Sequence, residues 1–344
     1  MTAVRHVILS LDYEVFGNGS GEIECCVLRP AENIAAITER HGARLSVFVD
    51  ALEFEAMQRL GQVGAAAVRR QLQDLMLRGH RLELHLHPQW DHNASLGSES
   101  WRLDPSKWRI GDLMPDAARA CIERGYAWLT NLMHEVDPSA QPLAFRAGGW
   151  AIQPSDAVLP ALQALGVAVE SSVAPGLHNR QPTDWFDFRN APERPWWRIG
   201  HDVCRVESNG LMHEVPIAVG QIDRLRHLRL LRASRGRLAP GCRGSYDSGS
   251  DRWQKLQGAL SKLGRIGTTM LDYSLLDAEA LADVTQHWVD RWPTENIAVP
   301  VVAIGHTKNF SSASADALDH YLGWLREQPQ YRFSDYASLH AAIT

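Results

Sequence analysis

Val4-Arg5-His6-Val7-Ile8-Leu9-Ser10-Leu11-Asp12-Tyr13-Glu14 is β-rich and apolar until it stops on two carboxylates. Such a run reads as a strand that delivers acidic groups at its C-terminal end. Side chains alternate faces along a strand, so Asp12 and Glu14 share one. Arg81-Leu82-Glu83-Leu84-His85-Leu86-His87 repeats the arrangement with imidazoles, and His85 and His87 also share a face. Between these stretches lie a proline-opened amphipathic run at 30–41, a strand pattern at 43–49 ending on Asp50, and a helix pattern at 65–78 closed by Gly79. Beyond them follow a helix pattern at 115–135, a short strand at 143–146, a helix at 155–165 and a strand at 167–171. Strand–helix alternation of this kind predicts a parallel sheet or barrel, where chemistry collects at the C-terminal strand ends. Asp12, Asp50, His85, His87, Arg146 and Glu170 all fall at such ends.

The alternation breaks between 174 and 264. This reads as an insertion: a hairpin of 203–207 with 211–219 about Ser208-Asn209-Gly210, then an arginine- and leucine-rich segment at 221–243. A solvated helix face accounts for the arginines; the alternative is contact with phosphate, including peripheral contact with an inner membrane surface. Alternation resumes with strands at 266–271 and 298–304, helices at 277–288 and 315–325, and a last strand and helix from Arg332. Leu11-Asp12-Tyr13 recurs as Leu271-Asp272-Tyr273, which reads as coincidence. A net charge of −5 gives no pull toward nucleic acid. The five cysteines are odd in number, with two adjacent and no C-x-x-C, so free thiols in the cytoplasm are expected.

If the first and third strands share a barrel, Asp12, Glu14, His85 and His87 converge in its mouth. Mixed imidazole and carboxylate donors suit one divalent metal ion, Zn²⁺ foremost. Arg146 lies in Phe145-Arg146-Ala147-Gly148-Gly149-Trp150, where the glycines allow close approach and the guanidinium can fix a carboxylate. His306, in Ile304-Gly305-His306-Thr307-Lys308, follows an apolar strand and is placed as a general acid. Tryptophan is abundant, at 12 residues, mostly in loops, where most would anchor the loop and a few would wall a pocket for a sugar.

Taken in order, these motifs resemble the polysaccharide deacetylase (NodB-homology) superfamily, carbohydrate esterase family four. Ser10-Leu11-Asp12-Tyr13-Glu14 resembles its first motif, and Gly79-His80-Arg81-Leu82-Glu83-Leu84-His85 its second. Phe145-Arg146-Ala147-Gly148 resembles the third, and Ile304-Gly305-His306 the last. The resemblance covers nearly the whole chain and implies one distorted (β/α)7 barrel carrying the insertion. It also implies metal-dependent removal of an N- or O-acyl group from a sugar. Asp12 would be the base oriented by Arg146, His306 the acid, and Glu14, His85 and His87 the ligands. Two departures bear on this set: Tyr13 stands where the family has a metal-binding Asp, and Gln89 where it has a second His. Glu14 and His87 are the natural substitutes, with His92 a further candidate and Asp12 itself a possible ligand. Glu170 could replace the Asp that supports the late histidine, and Trp90, Trp150, Glu170 and Glu214 are candidates to bind substrate. The expected partner is an acylated sugar, nucleotide sugar or lipid-linked glycan of surface-polysaccharide or O-antigen assembly. Rival readings are an amidohydrolase-type hydrolase, whose H-x-H belongs on a first strand, and an inactive carbohydrate-binding barrel.

Overall fold

The computed structural model describes residues 4–91, 94–96, 101–181, 185–223, 226, 266–293 and 297–344. Its main sheet is built from β1 (Arg5–Tyr13), β2 (Leu45–Asp50), β3 (Arg81–Leu86), β4 (Ala144–Ala147), β5 (Val169–Glu170), β6 (Trp197–Ile199) and β7 (Met212–Glu214). After a ribbon of β8 (Val219–Asp223) and β9 (Ile266–Met270), it is completed by β10 (Val299–His306) and β11 (Tyr331–Phe333). The strand order is β6-β7-β5-β4-β3-β2-β1-β10, and β11 also pairs with β1. Every pairing is parallel except that of β6 with β7. β1, β2 and β10 are buried from end to end or nearly so, as strands covered on both faces must be.

The sheet curls toward closure. Past β7 the chain runs along β5, with Ile217 N–H donating to Val173 O, and then along β10, with Ala218 N–H donating to Val302 O. Leu271 donates to Ala218 O, and Ile304 and Leu271 bond in turn. Isolated bridges Ile217–Val302 and Asp272–Ile304 mark this seam. The result is the distorted (β/α) barrel that the motifs imply.

The covering helices are α1 (Arg29–Arg40), α2 (Ala51–Arg59), α3 (Ala65–Leu77), α4 (Pro115–His134), α5 (Val158–Ala164), α6 (Ala278–Asp290), α7 (Ser312–Arg326) and α8 (Tyr336–Ile343). Side chains cap the starts of three of the later helices. Asp277 caps α6 on Ala280 N–H, Ser311 and Ser314 form a capping box for α7, and Asp335 caps α8 on Ser338 N–H. His80, buried at the foot of β3, takes the Leu45 N–H on Nδ1 and meets Glu39 through Nε2, tying α1 to β2.

Two expectations change. α2 is not evident from periodicity, because it leaves β2 with no loop and Asp50 serves as both strand end and N-cap. The hairpin partner of β7 is not 203–207 but β6. Residues 200–211 turn back on themselves, with Glu207 N–H bonded to Arg198 O, and Gly210 lies so close to the Ile199 carbonyl that a Cβ there would sit 2.4 Å from it. Among the described residues, no helix is long and apolar enough to cross a membrane. Among the described residues, Cys25, Cys26, Cys121 and Cys204 form no disulfide. Most of the 221–243 segment, and with it any test of membrane contact, lies outside the described residues; Arg226 pairs with Asp277, Glu279 and Asp283 at the head of α6.

Candidate active site and metal centre

The registers Asp12–His306 and Asp50–His85–Arg146 set these residues side by side along the C-terminal edge of the sheet. Arg146 is fully buried on β4 and is held from four directions. Its Nη1 donates to Asp12 Oδ1 at 2.6 Å, Nε to Ser171 O at 2.9 Å and Nη2 to Ser10 Oγ at 3.0 Å, while the Phe48 ring lies 4.1 Å beneath. Such a guanidinium fixes the Asp12 carboxylate and neutralises it without water. Asp12 Oδ2 remains on the site side, 3.5 Å from His306 Nε2.

His306 has a second carboxylate neighbour, Asp272, whose Oδ2 is 3.6 Å from Nδ1. This corrects the expectation for Glu170. Glu170 is in register with Phe145, not Arg146, so it points to the opposite sheet face. There it bonds Ser172 through both N–H and Oγ, beside Glu214 on β7. Burial, and then the charge of Glu170, push the Glu214 carboxyl well above the usual range. Neither offers an exposed face to a substrate. Asp272 escapes sequence reading because it arrives on the barrel seam after the insertion. The recurrence of Leu-Asp-Tyr was the one available signal, and it is structural. Both aspartates flank His306, and the Tyr273 hydroxyl donates to Ser10 O on β1. Gly305 is needed here, since a Cβ would come within 2.0 Å of the Tyr273 ring.

Glu14, His85 and His87 form a second, adjoining cluster. His85 Nδ1 is bound to Arg146 O at 2.9 Å, which requires the proton on Nδ1 and turns the Nε2 lone pair inward. Gln89 holds the His87 ring from outside the cluster: its amide Nε2 lies 3.1 Å from His87 Nδ1 and 3.1 Å from Gly17 O. Gly148 packs on the same ring, where a Cβ would stand 2.6 Å away. His87 Nε2 and Glu14 Oε2 are 2.8 Å apart, and His85 Nε2 is 3.7 Å from the same oxygen. All three atoms are buried and lack an aligned hydrogen bond, while Glu14, His85 and His87 each offer a donor within 4.8 Å of the others. Buried polar atoms are rarely left in that state unless something else satisfies them. Two imidazole nitrogens and a carboxylate oxygen are the donor set of an open Zn²⁺-type site, so the residues fit a divalent ion. Asp12, Glu14 and His306 form an overlapping group, so Asp12 also stands within ligand reach. His92 lies outside the described residues.

Charge is tightly balanced around this cluster. Burial pushes the Glu14 carboxyl up, but Lys308 and the two histidines overcome it and hold the group well below the usual carboxylate range. Burial pulls His85 down, but Glu14, Asp12 and Asp50 outweigh it and leave the imidazole more basic than usual. Asp50, raised by burial, receives the His87 N–H at 3.3 Å, and Glu53, raised well above its usual range by burial and Asp50, receives Val15 N–H.

Of the two candidate tryptophans, Trp150 overlooks the site. Its ring stands edge-on to His306 at 5.8 Å and to Phe186 at 6.1 Å. Its φ of 58° is in the left-handed region, a strain of about 1–3 kcal/mol that tends to persist where function requires it. Trp90 instead packs edge-on against Trp101 at 4.8 Å and, with Glu53, borders a separate cavity of about 150 Å³.

No family model matches the sequence, and no curated protein matches it. Solved structures do. A Mycobacterium smegmatis protein assigned as a polysaccharide deacetylase superposes with a TM-score of 0.54 over 100% of this chain and 91% of that one, at 11% identity. A Pseudomonas aeruginosa protein with the same assignment gives 0.50 over 98% and 90%, at 12% identity. A 4-α-glucanotransferase from Thermococcus litoralis gives 0.52 at 11% identity, but this chain spans 41% of that enzyme. The likeness establishes the fold: this is a distorted barrel of the kind found in polysaccharide deacetylases.

Proposed function

We propose that the protein is a metal-dependent deacetylase that removes an N- or O-acyl group from a sugar. The observation that carries this reading is the convergence of three buried donor atoms on Glu14, His85 and His87, set beside a carboxylate fixed by Arg146 and a histidine flanked by Asp272. A bound divalent cation would supply polarisation of the acyl carbonyl and a water of lowered pKa. Asp12 is placed to act as the base through Oδ2, the oxygen that Arg146 leaves free on the site side. Arg146 keeps the carboxylate turned inward through the transfer. His306 donates a proton to the departing nitrogen or oxygen, and Asp272 steadies the imidazolium from the Nδ1 side. Trp150 and Phe186 shield the reacting carbon from bulk water and offer an apolar face to the acyl group or sugar ring.

The N2O donor set favours Zn²⁺. The substrate class that the motif resemblance implies is a nucleotide sugar or lipid-linked glycan of surface-polysaccharide or O-antigen assembly. The lack of disulfides among the described cysteines favours a reducing, cytoplasmic setting. Two measurements test the core of the reading: metal content of the purified chain by mass spectrometry, and acetate release from a panel of N- and O-acetylated sugars, nucleotide sugars and glycans. Near-stoichiometric metal, lost in a His85→Ala/His87→Ala double variant together with acetate release, is expected. A wild-type chain that takes up no divalent ion on reconstitution would refute the proposal.

A further inference from the structure

Lys308 is among the charged residues around the site to which the catalytic roles above give no part. It lies two residues beyond His306, is 7% exposed, and places Nζ 2.7 Å from Glu14 Oε1. The backbone of Glu14 is tied to the same segment. Its N–H donates to Thr307 Oγ1 at 3.3 Å, and that hydroxyl donates to Glu14 O at 3.0 Å. Glu14 follows the end of β1 and Lys308 follows the end of β10, so neighbouring strands hold both the backbone and one carboxylate oxygen. The other oxygen, Oε2, is the one facing His85 and His87.

We propose that Lys308 is a positioning residue that reserves one oxygen of Glu14 and thereby sets the metal preference of the site. This rests on the reading of the site as a metal centre. With Oε1 held, the Glu14, His85 and His87 cluster offers a cation two imidazole nitrogens and one oxygen of Glu14, which suits a small ion content with four ligands. Ions that prefer more oxygen ligands, or a carboxylate through both oxygens, are disfavoured. The ammonium also repels any divalent cation, but it does so nearly equally for ions of equal charge. Its electrostatic effect therefore lowers all affinities together and cancels from their ratio, whereas the effect of position does not.

The test uses the full-length chain stripped of metal and titrated calorimetrically with Zn²⁺ alone and Mn²⁺ alone. In Lys308→Met, Glu14 is free to turn both oxygens inward, and the Zn²⁺-over-Mn²⁺ preference is expected to fall by about tenfold or more. Lys308→Arg, which keeps a donor on Oε1, is expected to retain the wild-type preference. A folded Lys308→Met variant with wild-type preference would overturn the role of Lys308 while leaving the metal centre intact. Wild-type chain that binds neither ion overturns both. A measurement on the unaltered chain guards against a variant that fails to fold. Co²⁺ bound to wild type should show the intense visible bands of four-coordinate geometry, and the weak bands of a six-coordinate ion would overturn the single-oxygen site.

Discussion

The residue on which the site's geometry turns is Arg146. Replacing it with Met leaves Asp12 buried and unpaired, and loss of one member of such a pair costs about 3–5 kcal/mol. Denaturant unfolding should show a loss of that size, and acyl hydrolysis should drop by about 10²–10⁴-fold. Arg146→Lys should rescue neither, because one ammonium cannot reach Asp12, Ser10 and Ser171 together. Asp272→Asn makes a different prediction. It should lower kcat by about 10²-fold with KM and bound metal unchanged, because Asp272 touches His306 and not the donor cluster. A loss of metal in that variant would contradict the assignment. The sequence made legible those residues that a strand displays at i and i+2: Asp12 with Glu14, and His85 with His87. Arg146 and His306 were legible because glycine and an apolar strand bracket them. Asp272 and Lys308 were not, since each owes its place to a contact between strands distant in sequence.

Among the elements, β7 and α8 meet through a histidine with no chemistry assigned to it. His213 is buried, with no hydrogen-bond partner for either ring nitrogen among the described residues, and faces His340, Trp196 and Arg198. Burial, and then His340 and Arg198, pull its pKa down to about 4 from 6.5. The unfolded chain therefore binds this proton more readily than the folded one. The stability conferred by the neutral ring is complete above about pH 6.5 and is lost as pH falls toward 4. Thermal unfolding should show Tm decreasing over that window, and a His213→Leu variant should flatten the decrease. Helices that announced themselves carry punctuation: Pro30 at the start of α1, Pro115 at the start of α4, Gly79 after α3. α2 lacked any, and the hairpin was misjudged because an Asn-Gly pair marks a turn without saying how far back the partner strand lies.

In the whole molecule, the barrel is braced across its interior from the chain's end. Tyr336, at the start of α8, bonds Ser171 Oγ at 2.8 Å and approaches Arg146 Nη2 at 3.5 Å, while β11 lies along β1. A chain ending at Gln330 loses both supports, and we expect it to lose cooperative unfolding as well as activity. A truncated protein that still melts in one sharp transition would show that the brace is dispensable. The seam has a further consequence. Asp272 is carried by a sparsely paired part of the wall, where two isolated bridges stand in for a full ladder. Opening there parts two bridged pairs, where separating β1 from β2 parts five register pairs. Amide hydrogens of Ala218 and Leu271 should therefore exchange with deuterium sooner than those of Leu9 and Leu11. Each such excursion would part His306 from its supporting carboxylate while the donor cluster on β1 and β3 stays whole, so proton delivery could idle in a protein that still holds its cation.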